Sequence, residues 1–210
     1  MESKILITGG NGELATELKK HLKGDYLGRE DLDFTKPINL EKEYDLILHT
    51  GAYTNVKNAE LEGKDECFMT NVYGTFNLIE RYKNTPFIFI SSEYAHNPIS
   101  IYALTKKLGE EITKTHKNHL IIRTIFKPNP FPFPKAYVDQ YTQGDYVDII
   151  AELLAKRVLE WDRKTSSLEY LGTGRKTMFE LAKRTRPDVE PNSVEDYIKE
   201  TGTPIPKDYE

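Results

Sequence analysis

The sequence predicts an α/β fold, a doubly wound parallel sheet with helices on both faces. Strand patterns alternate with helical patterns along the 210 residues, as expected for parallel strands joined by crossover helices. The first strand pattern, Lys4–Thr8, is an apolar run with β-branched residues, which is typical of a buried parallel strand. It breaks at the glycine turn Gly9-Gly10-Asn11-Gly12 and continues as a helical pattern. Strand, glycine turn and helix in this order are the opening unit of such a sheet.

Six strands are predicted by their short apolar runs. In chain order they are Lys4–Thr8, Asp25–Leu27, Asp45–Thr50, Pro86–Ser91, His119–Thr124 and Ser167–Leu171.

Five helices are predicted between and after these strands. They are Gly12–Leu22, Lys64–Tyr82, Ile101–Thr115, Asp145–Glu160 and Thr177–Arg184. In the fourth helix, apolar residues recur on one face from Val147 to Val158, which indicates a helix packed on the core.

A proline-rich stretch, Lys127–Pro134, divides the chain. Four prolines in eight residues exclude a helix or a central strand there. We therefore expect a nucleotide-binding part at residues 1–126 and a reduced substrate-side region at residues 127–210 packed on it. Residues 201–210 are punctuated by proline and are predicted to form an extended tail.

Composition and charge exclude several classes of function. The net charge is −4 without a dominant basic stripe, and the clusters Arg175-Lys176 and Lys183–Arg186 resemble solvated helix faces, so nucleic acid is not expected as a partner. Cys67 is the single cysteine, which excludes a cysteine-based zinc site, and no metal is expected. Met1 leads directly into the first strand and no apolar stretch is long enough to span a membrane. We therefore expect a cytoplasmic protein.

The glycine turn favours a nucleotide over a plain turn. Its spacing is Gly9-x-x-Gly12-x-x-Ala15 at the first strand. Glycines let backbone N–H groups approach a pyrophosphate, and Ala15 is small enough for close packing of helix on strand.

A second group of residues indicates proton-transfer chemistry. Tyr102 and Lys106 are four residues apart and therefore share a helix face. A nearby cation is expected to lower the pKa of a phenol, ordinarily about 10, toward the working range. Ser92 closes an apolar strand, so its hydroxyl is expected at the carboxyl edge of the sheet, where ligands bind in such folds.

These segments together resemble the extended short-chain dehydrogenases/reductases, and within them the dTDP-4-dehydrorhamnose reductase group. The resemblance implies a Rossmann-like fold and covers most of the chain in order. The segments that carry it are Thr8–Ala15, Gly51–Glu60, Asn71–Leu78, Ser91–Tyr94, Tyr102–Glu110, Ile121–Thr124, Val138–Gln140 and Gly144–Tyr146.

The resemblance implies a role for each matching residue. Tyr102 would donate a proton to a carbonyl oxygen as hydride arrives from a nicotinamide, Lys106 would lower the Tyr102 pKa and hold the nicotinamide ribose, and Ser92 would orient the carbonyl. The other residues expected to bind the cofactor are Gly9, Gly12, Glu13, Leu14, Arg29, Asp33, Phe34, Ala52, Tyr53 and Thr54.

Other interpretations of these residues stay open. Asp33 fits a helix N-cap, and Tyr53 fits a packed aromatic. Asn71 fits a structural hydrogen-bonding residue in its helix, and Cys67 fits the core. Arg29, at the end of the second strand, favours the 2′-phosphate of NADP (NADPH), with NAD as the alternative; a surface salt bridge of Arg29 is the competing interpretation.

The chain also departs from the group on the substrate side. The loop between Ser92 and Tyr102 is short, and the proline-rich stretch replaces a longer segment that helps to enclose the nucleotide-sugar. The reductase group has a tryptophan at the position of Phe126, and we expect Phe126 to contact the sugar. Glu93 is expected to accept a hydrogen bond from a sugar hydroxyl. A homodimer or a partner subunit is then one way to complete the substrate site.

The resulting hypothesis is an NAD(P)H-dependent reductase of a 4-keto-6-deoxy nucleotide-sugar. The first alternative is a non-catalytic, NADP-binding regulatory or scaffold subunit with the same fold. The second alternative is a nucleotide-sugar epimerase or dehydratase, and the dehydratase would need more acid–base carboxylates than Glu93 alone.

Overall fold

A computed structural model describes residues 3–209, so Met1, which entered the expectation of a cytoplasmic protein, lies outside the described residues. The main sheet has six parallel strands in the order β2-β1-β3-β4-β5-β10. They are β1 (Ile5–Thr8), β2 (Asp25–Leu27), β3 (Leu46–His49), β4 (Phe87–Ser92), β5 (His119–Thr124) and β10 (Ser167–Tyr170), numbered by their place in the chain. All six predicted strands are therefore confirmed, and so is the doubly wound fold.

The helices of the described residues are α1 (Glu13–Leu18), α2 (Val56–Ala59), α3 (Lys64–Phe68), α4 (Gly74–Arg81), α5 (Ile101–Lys114), α6 (Val147–Glu160), α7 (Met178–Lys183) and α8 (Val194–Thr201). A π-helical segment, Met69–Tyr73, joins α3 to α4, and a 3₁₀ turn, Glu93–His96, follows β4.

Two apolar layers enclose the sheet because neighbouring strand residues point to opposite faces. Ile5, Ile7, Leu46 and Leu48 lie on one face, in a cluster that also holds residues of α1 and α6. Leu6, Ile47, Phe87 and Phe89 lie on the other face, in a cluster with residues of α4. The buried stripe of α6 is the one predicted from Val147 to Val158.

The strand order reverses at β1, which has β2 on one side and β3 on the other. In open parallel sheets, ligands bind beyond the carboxyl ends of the strands at such a reversal. The glycine turn directly follows β1, so the topology places it at the expected ligand-binding edge.

Short strand pairs lie outside the main sheet. β6 (Phe126–Lys127) pairs with β9 (Asp145–Tyr146), β8 (Tyr141–Thr142) with β11 (Lys176–Thr177), and β7 (Lys135–Tyr137) with β12 (Glu190–Asn192). A third apolar cluster, from Phe131 to Val189, packs beneath these pairs. The proline-rich stretch thus holds neither a helix nor a central strand, as predicted.

Some helix boundaries differ from the predicted ones. Asp145 was expected in a helix, but it belongs to β9, and α6 begins at Val147. The backbone of Asp145 pairs with Phe126, and its buried carboxylate accepts hydrogen bonds from Arg184 and Thr173. These contacts hold the residue in extended backbone.

The division at residue 126 stays a prediction, and the two parts share one sheet. β10 and α6, both after the proline-rich stretch, pack in the main sheet and its first apolar layer. The tail after α8 has no helix or strand up to Tyr209, as predicted, yet Ile205 and Tyr209 are buried.

Candidate active site

The glycine turn adopts a conformation that requires glycine at two points. Gly9 has a φ of 66°, in the left-handed region, and a Cβ there would lie 2.6 Å from the Cα of Gly51. The Gly12 N–H donates a hydrogen bond to the Gly9 carbonyl at 2.8 Å, which closes the turn. The turn therefore lies directly against the loop that follows β3.

That loop is held by a buried asparagine in the π-helical segment. Asn71 Oδ1 accepts a hydrogen bond from the Tyr53 N–H at 2.8 Å, and its Nδ2 donates to the Tyr53 carbonyl at 3.1 Å. Nδ2 also donates to Thr105 Oγ1 on α5. These bonds agree with the structural interpretation of Asn71, and they connect the cofactor-side loop to the helix that carries Tyr102.

A cavity of about 730 Å³ lies over the carboxyl edge of the sheet. Its volume falls within the range of roughly 300–1,000 Å³ that is typical of cofactor and substrate sites. It is lined by these predicted site residues: Gly9, Gly12, Glu13, Leu14, Arg29, Ala52, Thr54, Ser92, Tyr102, Lys106 and Phe126.

A smaller cavity of about 190 Å³ adjoins it beside the end of β2. Asp33, Phe34 and Tyr53 line this cavity, and Arg29 lines both. Asp33 caps no helix: its carboxylate accepts hydrogen bonds from the backbone and side chain of Thr35 in a tight turn. Arg29 pairs with Glu66 at 3.1 Å. It therefore forms a surface salt bridge and also lies at the cavity.

Ser92, Tyr102 and Lys106 are brought together as predicted. Ser92 ends β4, and Tyr102 and Lys106 lie one turn apart in the first half of α5, whose N-cap Ser100 accepts a hydrogen bond from the Ala103 N–H. The Ser92 side chain faces the Tyr102 hydroxyl closely enough to lower its pKa. The Lys106 ammonium is buried and donates a hydrogen bond to the Ile90 carbonyl at 2.7 Å.

The expected lowering of the Tyr102 pKa by Lys106 is wrong for this structure. Burial raises the pKa of Tyr102 to about 12, and Ser92 opposes this only in part. Burial also lowers the pKa of Lys106 to about 7. Loss of water around both groups outweighs their mutual interaction, because the ammonium is directed at a backbone carbonyl. Tyr102 is therefore protonated near neutral pH.

Glu93 does not reach the cavity, so its expected contact with a sugar hydroxyl is not formed. The residue is 1% exposed. Its carboxylate accepts hydrogen bonds from Thr142 Oγ1 at 2.6 Å and from the Gln143 N–H at 3.0 Å. Both partners come from a segment about fifty positions later in the chain, which the local sequence around Glu93 does not reveal.

Several lining residues were not predicted from the sequence. Tyr94 faces Tyr102 edge to face with 6.4 Å between ring centroids, and Lys127, Pro128 and Phe133 come from the proline-rich stretch. The only sequence signal for Lys127 is its place directly after Phe126. Within residues 3–209, no group of three or more His, Cys, Asp or Glu residues could hold a metal ion, and no helix is long and apolar enough to cross a membrane.

The family model described as the RmlD substrate binding domain matches residues 3–193. The chain belongs to this family. The match confirms the resemblance that the motifs predicted. It includes the glycine turn, the Ser92, Tyr102 and Lys106 group, and most of the proline-rich side.

Solved structures of similar proteins support the fold. A dTDP-4-dehydrorhamnose reductase of Bacillus anthracis in complex with NADP superposes with a TM-score of 0.83 at 23% identity, covering 99% of this chain and 89% of that one. A dTDP-4-dehydrorhamnose reductase of Clostridium acetobutylicum gives a TM-score of 0.78 at 24% identity, covering 92% and 85%. At these identities the likeness shows the fold alone.

One curated relative carries a name that indicates polysaccharide biosynthesis. The spore coat polysaccharide biosynthesis protein SpsK of Bacillus subtilis is 28% identical over 151 residues, which are 58% of this chain and 52% of the relative. The chain spans about half the length of the curated relatives it matches.

Proposed function

We propose that this chain is an NADPH-dependent reductase of a 4-keto-6-deoxy nucleotide-sugar, similar to dTDP-4-dehydrorhamnose reductase and serving deoxysugar synthesis in the cytoplasm. The observation that carries the proposal is the grouping of Ser92, Tyr102 and Lys106 on the wall of a cavity that begins at the glycine turn. A protein that only binds a nucleotide has no need for all three side chains at one point. The names of the B. anthracis reductase and of SpsK agree with this chemistry.

The cavity fits a dinucleotide on its glycine side. Gly9 and Gly12 line this edge of the cavity without side chains, so a ligand can approach the backbone of the turn closely. When bound, NADPH supplies the hydride. Arg29, at the border of the smaller cavity, is positioned to meet a 2′-phosphate, which favours NADPH over NADH. Its partner Glu66 would then have to release it.

The chain's own residues handle the carbonyl oxygen and its proton. Ser92 orients the carbonyl by donating a hydrogen bond from its hydroxyl. Tyr102, whose pKa is raised to about 12 by burial, is protonated at neutral pH and donates its phenolic proton to the oxygen as negative charge develops there. Lys106 stands one helical turn away, and its ammonium is held by the Ile90 carbonyl. We therefore assign it to the nicotinamide ribose and not to the pKa of Tyr102.

The substrate side is built from aromatic residues. Tyr94, Phe126 and Phe133 line the cavity and offer flat apolar surfaces to a sugar ring. We propose that residues 127–210 form this substrate-side region. We also propose that a second copy of the chain or a partner subunit completes the substrate site.

The first prediction tests this activity with NADPH and an enzymatically prepared dTDP-4-keto-6-deoxyhexose, following the loss of NADPH absorbance. Tyr102→Phe removes the proton donor and should lower turnover by about 10²–10⁴-fold. NADPH binding, measured by fluorescence titration, should change little. Tyr73→Phe, which removes an exposed phenol that lines neither cavity, is the matched control and should keep full activity.

Either of two results would contradict the proposal. Equal turnover of Tyr102→Phe and wild type would exclude Tyr102 as the proton donor. A wild-type chain that binds NADPH but oxidises none of it with the keto sugar would favour the regulatory or scaffold alternative. One observation favours the regulatory or scaffold alternative. Lys106 donates a hydrogen bond to the Ile90 carbonyl, which directs its ammonium away from Tyr102.

The epimerase or dehydratase alternative has less support from the site. A dehydratase needs carboxylates beside the serine, and Glu93 is turned away from the cavity toward Thr142 and Gln143. The structural neighbours do include a UDP-glucuronic acid 4-epimerase of Bacillus cereus, at 15% identity and a TM-score of 0.69. That likeness shows the shared fold only.

A further inference from the structure

Lys127 is a partly buried lysine on the cavity wall. It lies in β6 at the start of the proline-rich stretch, and its side chain lines the large cavity together with Glu13 and Phe133. The ammonium lies over the Phe133 ring, 5.8 Å from the centroid. Among the residues that the structure describes, no carboxylate forms an ion pair with it.

This placement costs free energy that the fold does not recover. Burial lowers the pKa of Lys127, and the charge of Glu13 opposes this without forming a contact pair. A lysine used only for packing would keep its ammonium in water and cover the apolar surface with its stem. The contact with the half-exposed Phe133 ring recovers only part of this cost. A cation held in a cavity under these conditions is best balanced by an anion of the ligand.

We propose that Lys127 binds the diphosphate of a nucleotide ligand in the large cavity. This inference rests on the proposed function, and it names the group of the ligand that the lysine meets. A lysine acts on phosphates as a point charge, and the aromatic residues around it reduce screening by water. Both NADPH and a dTDP-sugar carry a diphosphate, and the experiment below separates them.

The second prediction measures the affinities of three variants by isothermal titration calorimetry. Lys127→Gln removes the charge, Lys127→Arg keeps it, and Lys135→Gln removes an exposed charge from the same proline-rich side outside the cavity. The ligands are NADPH, dTDP in the presence of saturating NADP, and inorganic diphosphate. Lys127→Gln should weaken the binding of one nucleotide and of diphosphate about tenfold, as expected for one charge-assisted hydrogen bond.

The pattern of losses identifies the source of the diphosphate. Weaker NADPH binding with unchanged dTDP binding assigns Lys127 to the cofactor, and the reverse assigns it to the nucleotide-sugar. In both cases Lys127→Arg should bind within about threefold of wild type, and Lys135→Gln should bind as wild type does.

Failure of this inference is distinguishable from failure of the proposed function. Equal affinities of Lys127→Gln and wild type for all three ligands would overturn the role of Lys127 and leave the proposed function untouched. A wild-type chain that does not bind NADPH would contradict the proposed function, and the dTDP and diphosphate titrations would still decide the role of Lys127.

Discussion

The two walls of the cavity are built in different ways. The glycine wall, residues 9–15 and 50–54, is shaped by backbone contacts at its turn and by uncharged side chains at its loop. Gly12 bonds to Gly9 and Gly10 to the carbonyl of Leu27, while Asn71 holds Tyr53. The aromatic wall, Tyr94, residues 126–128 and Phe133, depends on polar side chains. Gln140 Nε2 donates a hydrogen bond to Tyr94 Oη and to the Pro206 carbonyl, each at 3.0 Å.

This difference predicts how each wall fails. A wall set by backbone shape is insensitive to charge, but it tolerates no added atom where two backbones touch. A wall set by buried polar groups tolerates small changes of shape, but each group that loses its partner costs free energy. The glycine wall is therefore the fixed platform for a nucleotide. The aromatic wall is the side on which charge and pH act.

The largest expected effect lies at the junction of β5, α5 and the 3₁₀ turn that carries Tyr94. Arg123 of β5 donates two hydrogen bonds to the buried carboxylate of Glu110 at 2.7 and 2.8 Å. It also bonds to Tyr170 Oη, which in turn donates to the Tyr209 carbonyl in the tail. Glu110→Gln leaves the buried guanidinium without its counter-charge and should lower the free energy of unfolding by about 3–5 kcal/mol.

Glu111→Gln, one position along the same helix, is the matched control for this third prediction. Glu111 is half exposed and pairs with Lys107 and Lys114 at the surface, so its loss should cost less than about 1 kcal/mol. Urea unfolding at pH 7 measures both. Similar values for the two variants would show that the junction is not held by the buried pair.

The fourth prediction tests the glycine wall with two glycines of nearly equal φ. Gly9 has a φ of 66° and Gly202 a φ of 68°, but a Cβ at Gly202 meets nothing within 4 Å. Gly202→Ala therefore carries left-handed strain alone, about 1–2 kcal/mol. Gly9→Ala adds the overlap with Gly51 and should cost about 3 kcal/mol.

Thermal and urea unfolding of both variants give the comparison, and NADPH titration adds a second measure. Gly9→Ala should also weaken NADPH binding, whereas Gly202→Ala should not. If the two variants lost equal stability, the close approach of Gly9 to Gly51 would not be what fixes the turn.

The two walls also differ in how far the sequence predicts them. The four inner strands are buried on both faces and carry apolar runs that locate them in the sequence. The edge strands β2 and β10 are only partly buried, and the alternation of strand and helix patterns locates them. The turn at Gly9 and the spacing of Tyr102 and Lys106 follow local geometry and were predicted too. Two-residue strands such as β6 and β9 have no readable period, and the aromatic wall that they support was missed except for Phe126.

Contacts between distant parts of the chain account for the errors. Glu93 looked like a substrate ligand because it follows Ser92, but Thr142 and Gln143 occupy its oxygens. The pKa of Tyr102 was expected to fall because only Lys106 is visible nearby in sequence. Burial, which depends on the whole fold, raises it instead.

The fifth prediction has the smallest expected effect and concerns the pH dependence of stability next to the aromatic wall. Burial raises the pKa of Glu93 from 4.5 to about 6, although hydrogen bonds from Thr142 and Gln143 oppose the shift. The folded chain therefore binds this proton more tightly than the unfolded chain does. Stability from Glu93 is fully present below about pH 4.5 and is lost as the pH rises to about 6, a change of about 2 kcal/mol.

Glu93→Gln removes this titration, so its stability relative to wild type should rise by about 2 kcal/mol between pH 4.5 and 6 and stay level above. Urea unfolding of both proteins across this window measures the difference, and other titrating groups cancel in it. Glu41→Gln, which removes an exposed carboxyl, is the control. A difference that does not change with pH would mean that folding leaves the pKa of Glu93 at its ordinary value. The contrast between the aromatic wall and the glycine wall would then rest on packing alone.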